Sequence, residues 1–388
     1  ALEAGVAFVL LDWIYHYITD ESPMDINTFL RHFEPAERQR LIFLDGLTKS
    51  LGASNVRSAH LIAGDEVVKF IVSRASHGVI PPFFPKTSLT NQVPAVNEGD
   101  LQRRWVGLQA HNRWLAEFCA NDPSRHIGVA SIPLLFDVQQ AVEAVRWCVD
   151  NRLRAVMIPT LWGEHPPYHH TRYNPFWEVC EDLGVIVHFH SGPAPHPEYF
   201  GKEWPVVDSS DQLPGAMGVY VSEVMWWLYR PLTFMIWGGV FERYPRLRVV
   251  IVEGGTMFML PPWLRLLDHN YRDVQFSAKL GDFRSHLSMA PSDYYRRNIA
   301  VGASCVPRAD LELRAAVGPD QIMWGSDYPH PEGTWPNTAE YMRTTFSGFP
   351  EADGRKILGD NAVQFYGLDR DKLQQVADRI GPDASIFA

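Results

Sequence analysis

Three residues stand where a chain could hold a metal ion. His190 closes the apolar run GVIVHFH at 184–190, Glu253 closes LRVVIVE at 247–253, and Asp327 follows the run 321–326 in the turn WGSDYPHPEG. Imidazole and carboxylates together suit Zn²⁺, Mn²⁺ or Fe²⁺. Such an ion lowers the pKa of bound water towards about 7 and polarises a carbonyl, and a neighbouring carboxylate can take the water's proton. Each residue also has an ordinary reading. His190 is then a satisfied core histidine, Glu253 a cap on the loop before Gly254-Gly255, and Asp327 a turn acid before Tyr328-Pro329. His188, two residues before His190, shares its strand face and is either a deeper packed residue or a substrate contact.

The elements that must position these groups follow a regular rhythm from about residue 125. Short β-branched runs at 127–132, 154–159, 184–190, 247–253, 298–302 and 321–325 alternate with amphipathic stretches at 137–151, 174–183, 219–244 and from 256 to about 271. In the first stretch Val138, Ala141, Val142, Val145 and Val149 recur at helical spacing. Nearly continuous apolar strands separated by helices imply a parallel sheet buried on both faces. Two further strands, at 8–11 and 78–80, would make eight and a TIM (β/α)8 barrel, whose strand ends all converge on one mouth. The long interval between those two implies an inserted segment. The helix at 219–244 reads first as core and second as a dimer face.

Composition narrows the classes. The 388 residues are 46% hydrophobic and 21% charged with a net charge of −10, which argues against a nucleic-acid surface. Cys119, Cys148, Cys180 and Cys305 form no CxxC pair, so a disulfide framework or structural zinc is not expected. The apolar segment 5–18 is interrupted by Asp12 and His16 and is too short to span a bilayer, so a cytoplasmic protein without membrane contact is expected.

The stretches GSDYPHPEG, VIVHFHSG, GVFERYPRLRVVIVEGG with WLRLLDH, and HNRWLAEFCANDPSRHIGVASIPL at 111–134 occur in order and together resemble the amidohydrolase-2 group of the amidohydrolase superfamily, which includes aminocarboxymuconate-semialdehyde-decarboxylase-like enzymes. The resemblance covers 105–368 and implies a distorted TIM barrel with a divalent metal at its mouth. It leaves 1–104 as a divergent region carrying the first strands and an insertion, and 369–388 as a tail. It makes His190 a metal histidine and makes Asp327 a ligand, a proton carrier or both. It places Glu253 where decarboxylase members carry histidine, and sets His330 and Glu332 in the loop after the last strand, where they shape the substrate site or hold Asp327, with His330 joining Asp327 as a catalytic candidate. The departure is at strand one. Family members carry His-x-His, Glu-x-His or Asp-x-His there, and this chain has Asp12-Trp13-Ile14-Tyr15-His16, in which His16 stands for the second ligand and Ile14 replaces the first.

The loops around the expected mouth are rich in aromatic residues and histidine. They include 162–170 with Trp162, Tyr168 and the His169-His170 pair, and Tyr199, Phe200 and Trp204; Arg172 and Lys202 are carboxylate partners. The leading expectation is a hydrolase that uses metal-activated water on a small cyclic or aromatic carboxylate, with zinc, manganese or iron as one ion or a pair. A non-oxidative decarboxylase is the alternative. Behind it stand an iron-dependent oxygenase and a metal-free binding protein. The expected partner is a small molecule, with a homodimer as the open question.

Overall fold

A computed structural model describes residues 9–12, 26–46, 59–63, 98–160, 165–190, 218, 222–223, 226–253, 258–273, 279–328 and 333–388. The chain divides into two compact units, Ala1–Pro82 and Phe83–Ala388.

In the first unit, β1 (Val9–Asp12) pairs parallel with β2 (Leu41–Gly46), and β2 pairs antiparallel with β3 (Ala59–Ala63). The strand at 8–11 is thus present, moved by one residue, and Asp12 is its last residue. Residues 78–80, Ile14 and His16 lie outside the described residues. The parallel partner of β1 is instead Leu41–Gly46, a short run whose pairing the alternation of residues does not reveal. Leu41 and Phe43 are buried, and Phe43 meets Phe29 edge-on with ring centres 5.8 Å apart.

The second unit is built on a six-stranded parallel sheet whose spatial order follows the chain: β4 (Val129–Ser131), β5 (Ala155–Met157), β6 (Ile186–His190), β7 (Val249–Val252), β8 (Ile299–Ser304) and β9 (Ile322–Gly325). All six expected runs form strands. Alternation along each strand divides the side chains between two faces. Val187, Phe189, Val249, Ile251, Ile299, Val301 and Ile322 join the helices in the main core. On the other face Ile186, Val250, Ala300 and Met323 pack with Phe365 and Tyr366 of the helix Asn361–Tyr366. Full burial of such side chains contributes about 1.5–3 kcal/mol each, which is why the runs are mostly apolar.

Local chemistry sets the helix ends. In α1 (Val138–Asp150), the Asp137 carboxylate accepts from the Gln140 N–H at 3.0 Å, and Ala141, Val142, Val145 and Cys148 face the core. Helix α2 (Asn174–Leu183) stops at Gly184, whose φ of 66° an L side chain would strain. The stretch expected as one helix over 219–244 is broken. Among the described residues α3 (Trp226–Trp237) ends at Gly238-Gly239, and a separate turn of helix covers Val240–Arg243. Gly238 packs so closely on His169 that an added Cβ would lie 2.2 Å from the His169 Cβ. Leu228, Leu232, Met235 and Ile236 are buried, so the core reading of α3 holds. No described helix is long and apolar enough to cross a membrane. No disulfide joins the four cysteines; burial pushes the Cys148 thiol up to about 12.

Candidate active site

The sheet carries the candidate residues along one edge, where β6 to β9 end. Register places His190 opposite Val252, Val252 opposite Gly302, and Ser304 opposite Gly325. His190 is the last residue of β6, Glu253 follows β7, Cys305 follows β8, and Asp327 lies two residues past β9. Three of these four adopt left-handed backbone, with φ of 54° at Glu253, 46° at Cys305 and 57° at Asp327. A non-glycine residue held there costs on the order of 1 kcal/mol or more, and such strain gathers at functional sites. Three successive strands therefore leave the sheet through the same unfavourable turn, and two of the three turn residues are acids.

The geometry brings His190 and Glu253 together: Nε2 and Oε1 lie 3.3 Å apart, with the two side chains 25% and 21% exposed. Metal–ligand bonds of about 2.1 Å place neighbouring ligand atoms about 3.0–3.4 Å apart in octahedral or tetrahedral sites. The pair therefore fits one edge of a divalent ion's coordination shell, and nitrogen plus a hard oxygen suits manganese, zinc or iron. Among the described residues no group of three His, Cys, Asp or Glu side chains is close enough to hold an ion, so Asp327 stands on the same edge without joining the pair.

Two of the other expected site residues, His188 and Arg172, lie among the described residues. His188 is 1% exposed. Its Nε2 lies 2.8 Å from the Tyr366 hydroxyl and its Nδ1 3.2 Å from the Ile186 carbonyl, while its ring stacks on Tyr366. Burial lowers its pKa to about 4, so it is a neutral residue packed below the rim. Strand geometry accounts for this, because two residues along a strand descend one layer from His190. Arg172 is exposed at the start of the turn Thr171–Tyr173, where its guanidinium lies 5.4 Å from the centre of the Tyr173 ring and its N–H donates to His170 Nδ1.

The His169-His170 pair does not converge on an ion. His169 stacks on Phe234 at 5.1 Å, and His170 caps the turn. Tyr168 is also core: it is fully buried and donates to the Pro159 carbonyl at 2.6 Å. His16, Trp162, His330, Glu332, Tyr199, Phe200, Lys202 and Trp204 lie outside the described residues. Exposed aromatic surface beside Asp327 comes from Tyr328 and Trp335, whose rings meet edge-on at 5.6 Å. Sequence reasoning passed over Cys305. The available signal was its place directly after an apolar run, the same place that singled out Glu253.

An amidohydrolase family model matches residues 86–368. The chain is 25% identical over 293 residues to the gamma-resorcylate decarboxylase of a Rhizobium species, covering 72% of this chain and 82% of that one. It is 24% identical over 263 residues to 2-amino-3-carboxymuconate-6-semialdehyde decarboxylase of Dictyostelium discoideum, covering 67% of this chain and 66% of the relative, just under two thirds of its length. Among solved structures, a dihydroxybenzoic acid decarboxylase from a Polaromonas species with bound manganese and the inhibitor 2-nitroresorcinol superposes with a TM-score of 0.55 at 18% identity, covering 94% of this chain and 98% of that chain. The ordered motifs, the parallel sheet and the family match agree: the chain belongs to the amidohydrolase-2 family, in the group resembling aminocarboxymuconate-semialdehyde decarboxylase, and its fold is of the α/β, distorted TIM-barrel class.

Proposed function

We propose that this protein is a divalent-metal-dependent decarboxylase of a small aromatic or unsaturated carboxylate, with manganese as the first ion to test. The observation that carries the reading is the His190–Glu253 pair, 3.3 Å apart at the strand-end rim, in a chain whose named relatives remove CO₂. The residues alone put hydrolysis first and decarboxylation second; the relatives favour the reverse order.

His190 Nε2 and the Glu253 carboxylate would hold the ion, with Asp327 as the further carboxylate of the site. When bound, the ion supplies positive charge that fixes the substrate's oxygens and withdraws electron density from the carbon bearing the carboxylate. Decarboxylation breaks the bond between that carbon and CO₂ and leaves the electron pair on carbon, so a proton must be delivered there. Asp327 is the group we assign to hold and deliver it, aimed by its left-handed turn. Tyr328 and Trp335 give the edge beside Asp327 an apolar surface suited to a flat ring and unfavourable to water.

The test is incubation with gamma-resorcylate and with other aromatic carboxylates, with added manganese and after chelation, in ¹⁸O-labelled water under air and under nitrogen. Release of CO₂ that needs the metal and not oxygen supports the reading. Label entering the product without CO₂ would restore hydrolysis, the second reading, which the Glu253 carboxylate beside His190 favours because it can accept a proton from water. Oxygen dependence would move the site to oxidation.

A further inference from the structure

The backbone that carries Asp327 is held from an unexpected direction. The Cys305 N–H donates to the Gly325 carbonyl at 3.0 Å, and its thiol lies 3.5 Å from the Ser326 carbonyl. That Ser326 carbonyl also accepts the Thr334 N–H at 2.9 Å and lies 3.5 Å from Thr334 Oγ1. Behind these contacts stands helix α4 (Thr338–Phe346). Tyr341 of this helix donates its hydroxyl to the Cys305 carbonyl, and Thr338 Oγ1 lies 3.1 Å from Thr334 Oγ1. One helix therefore reaches the two residues before Asp327 by two routes, through Tyr341 to Cys305 and through Thr338 to Thr334.

From this arrangement we infer that Tyr341 and Thr334 are positioning residues for Asp327. They hold the Gly325-Ser326 segment so that the left-handed turn at Asp327 points its carboxylate to the rim. Both Cys305 and Asp327 sit in backbone conformations that relax unless neighbours over-determine them. A hydroxyl that donates to the carbonyl of one strained residue, and a threonine that grips the carbonyl next to the other, supply that determination. Burial raises the Tyr341 pKa, so its hydroxyl stays protonated and remains a donor at any working pH. Neither residue touches the reacting atoms. This inference rests on the assignment of Asp327 under Proposed function.

The experiment compares wild type, Tyr341→Phe, Thr334→Val, Asp327→Asn and the Tyr341→Phe/Asp327→Asn double variant. Three quantities are read: the Mn²⁺ dissociation constant, by electron paramagnetic resonance of free Mn²⁺; kcat and KM for CO₂ release from gamma-resorcylate; and the melting temperature. Asp327→Asn is expected to impair manganese binding, kcat or both. Tyr341→Phe should impair the same quantity by about 10-fold, the usual effect of a group one shell behind a ligand. The double variant should match Asp327→Asn, because the tyrosine acts only through the aspartate. A lowered melting temperature with unchanged manganese affinity and kcat would make Tyr341 merely structural and overturn the inference while leaving the Asp327 assignment standing. No change in Asp327→Asn itself would remove that assignment, and the inference with it. Should Tyr341→Phe fail to fold, Thr334→Val, which keeps the Thr334 N–H bond and loses only the hydroxyl, decides on the same criteria.

Discussion

His188 and His190 lie two residues apart on one strand and face the same way, yet they belong to different regions. The floor around His188 is regular strand, dry and closed by Tyr366. The rim around His190 is partly exposed and flanked by residues in left-handed turns. The floor keeps a polar ring neutral by burying it, and gives both of its nitrogens partners. The rim keeps its imidazole beside a carboxylate and within reach of solvent. One strand thus supplies stability at one layer and chemistry at the next, and the change occurs over a single strand repeat.

The largest expected effect separates the regions directly. His190→Ala should raise the manganese dissociation constant by more than about 100-fold while moving stability by no more than about 1 kcal/mol, since a partly exposed side chain leaves little cavity. Equilibrium dialysis against Mn²⁺ and thermal melts would show it. Equal affinity in the variant would move the site away from this rim.

The floor should reveal itself in acid. His188 titrates at about 4 when folded against an ordinary 6.5, so between these values the unfolded chain binds the extra proton. Stability should therefore be full above pH 6.5, fall as the pH drops towards 4 by about 3 kcal/mol from this group, and change no further below that. Urea melts of wild type and His188→Gln across this range would measure the difference, and parallel curves would break the comparison. Tyr366→Phe, which leaves the His188 Nε2 without its partner, should cost about 1–2 kcal/mol at neutral pH with manganese affinity unchanged.

The smallest effect contrasts glycine substitutions. Ala300→Gly on the floor should cost about 1 kcal/mol, the ordinary penalty in a strand. Cys305→Gly at the rim should change stability by less than about 1 kcal/mol, because relief of its strained φ offsets the entropy lost by glycine. Equal costs in denaturant melts would mean that the rim is not strained.

Much of the floor was legible in the sequence, because burial on both faces forces mostly apolar runs, and those runs became β4 to β9. The helix at 137–151 was equally plain, since Asp137 caps it and Asn151 ends it. The break at Gly238-Gly239 was hidden, as apolar residues continue on both sides and the bare backbone is required by the closeness of His169 to Gly238 and by the φ of 67° at Gly239. The rim was half legible. Strand ends nominated His190, Glu253 and Asp327, but residue types do not say which of them meet, nor that left-handed turns aim them. His188 was left between a packed and a substrate-facing role because the partner that closes it, Tyr366, comes from the far end of the chain. Reaction type was least legible, since hydrolysis and decarboxylation draw on the same ligand types.

The second sheet's spatial order repeats its order along the chain. Each strand from β5 onwards docks beside the strand made just before it, and no strand has to wait for a distant partner within that sheet. During synthesis the edge that receives the next strand is already in place, so β4 to β9 can assemble one βα unit at a time as they emerge. The rim is then the last part to be finished, because Asp327 and the helix behind it arrive only after every other strand of this sheet.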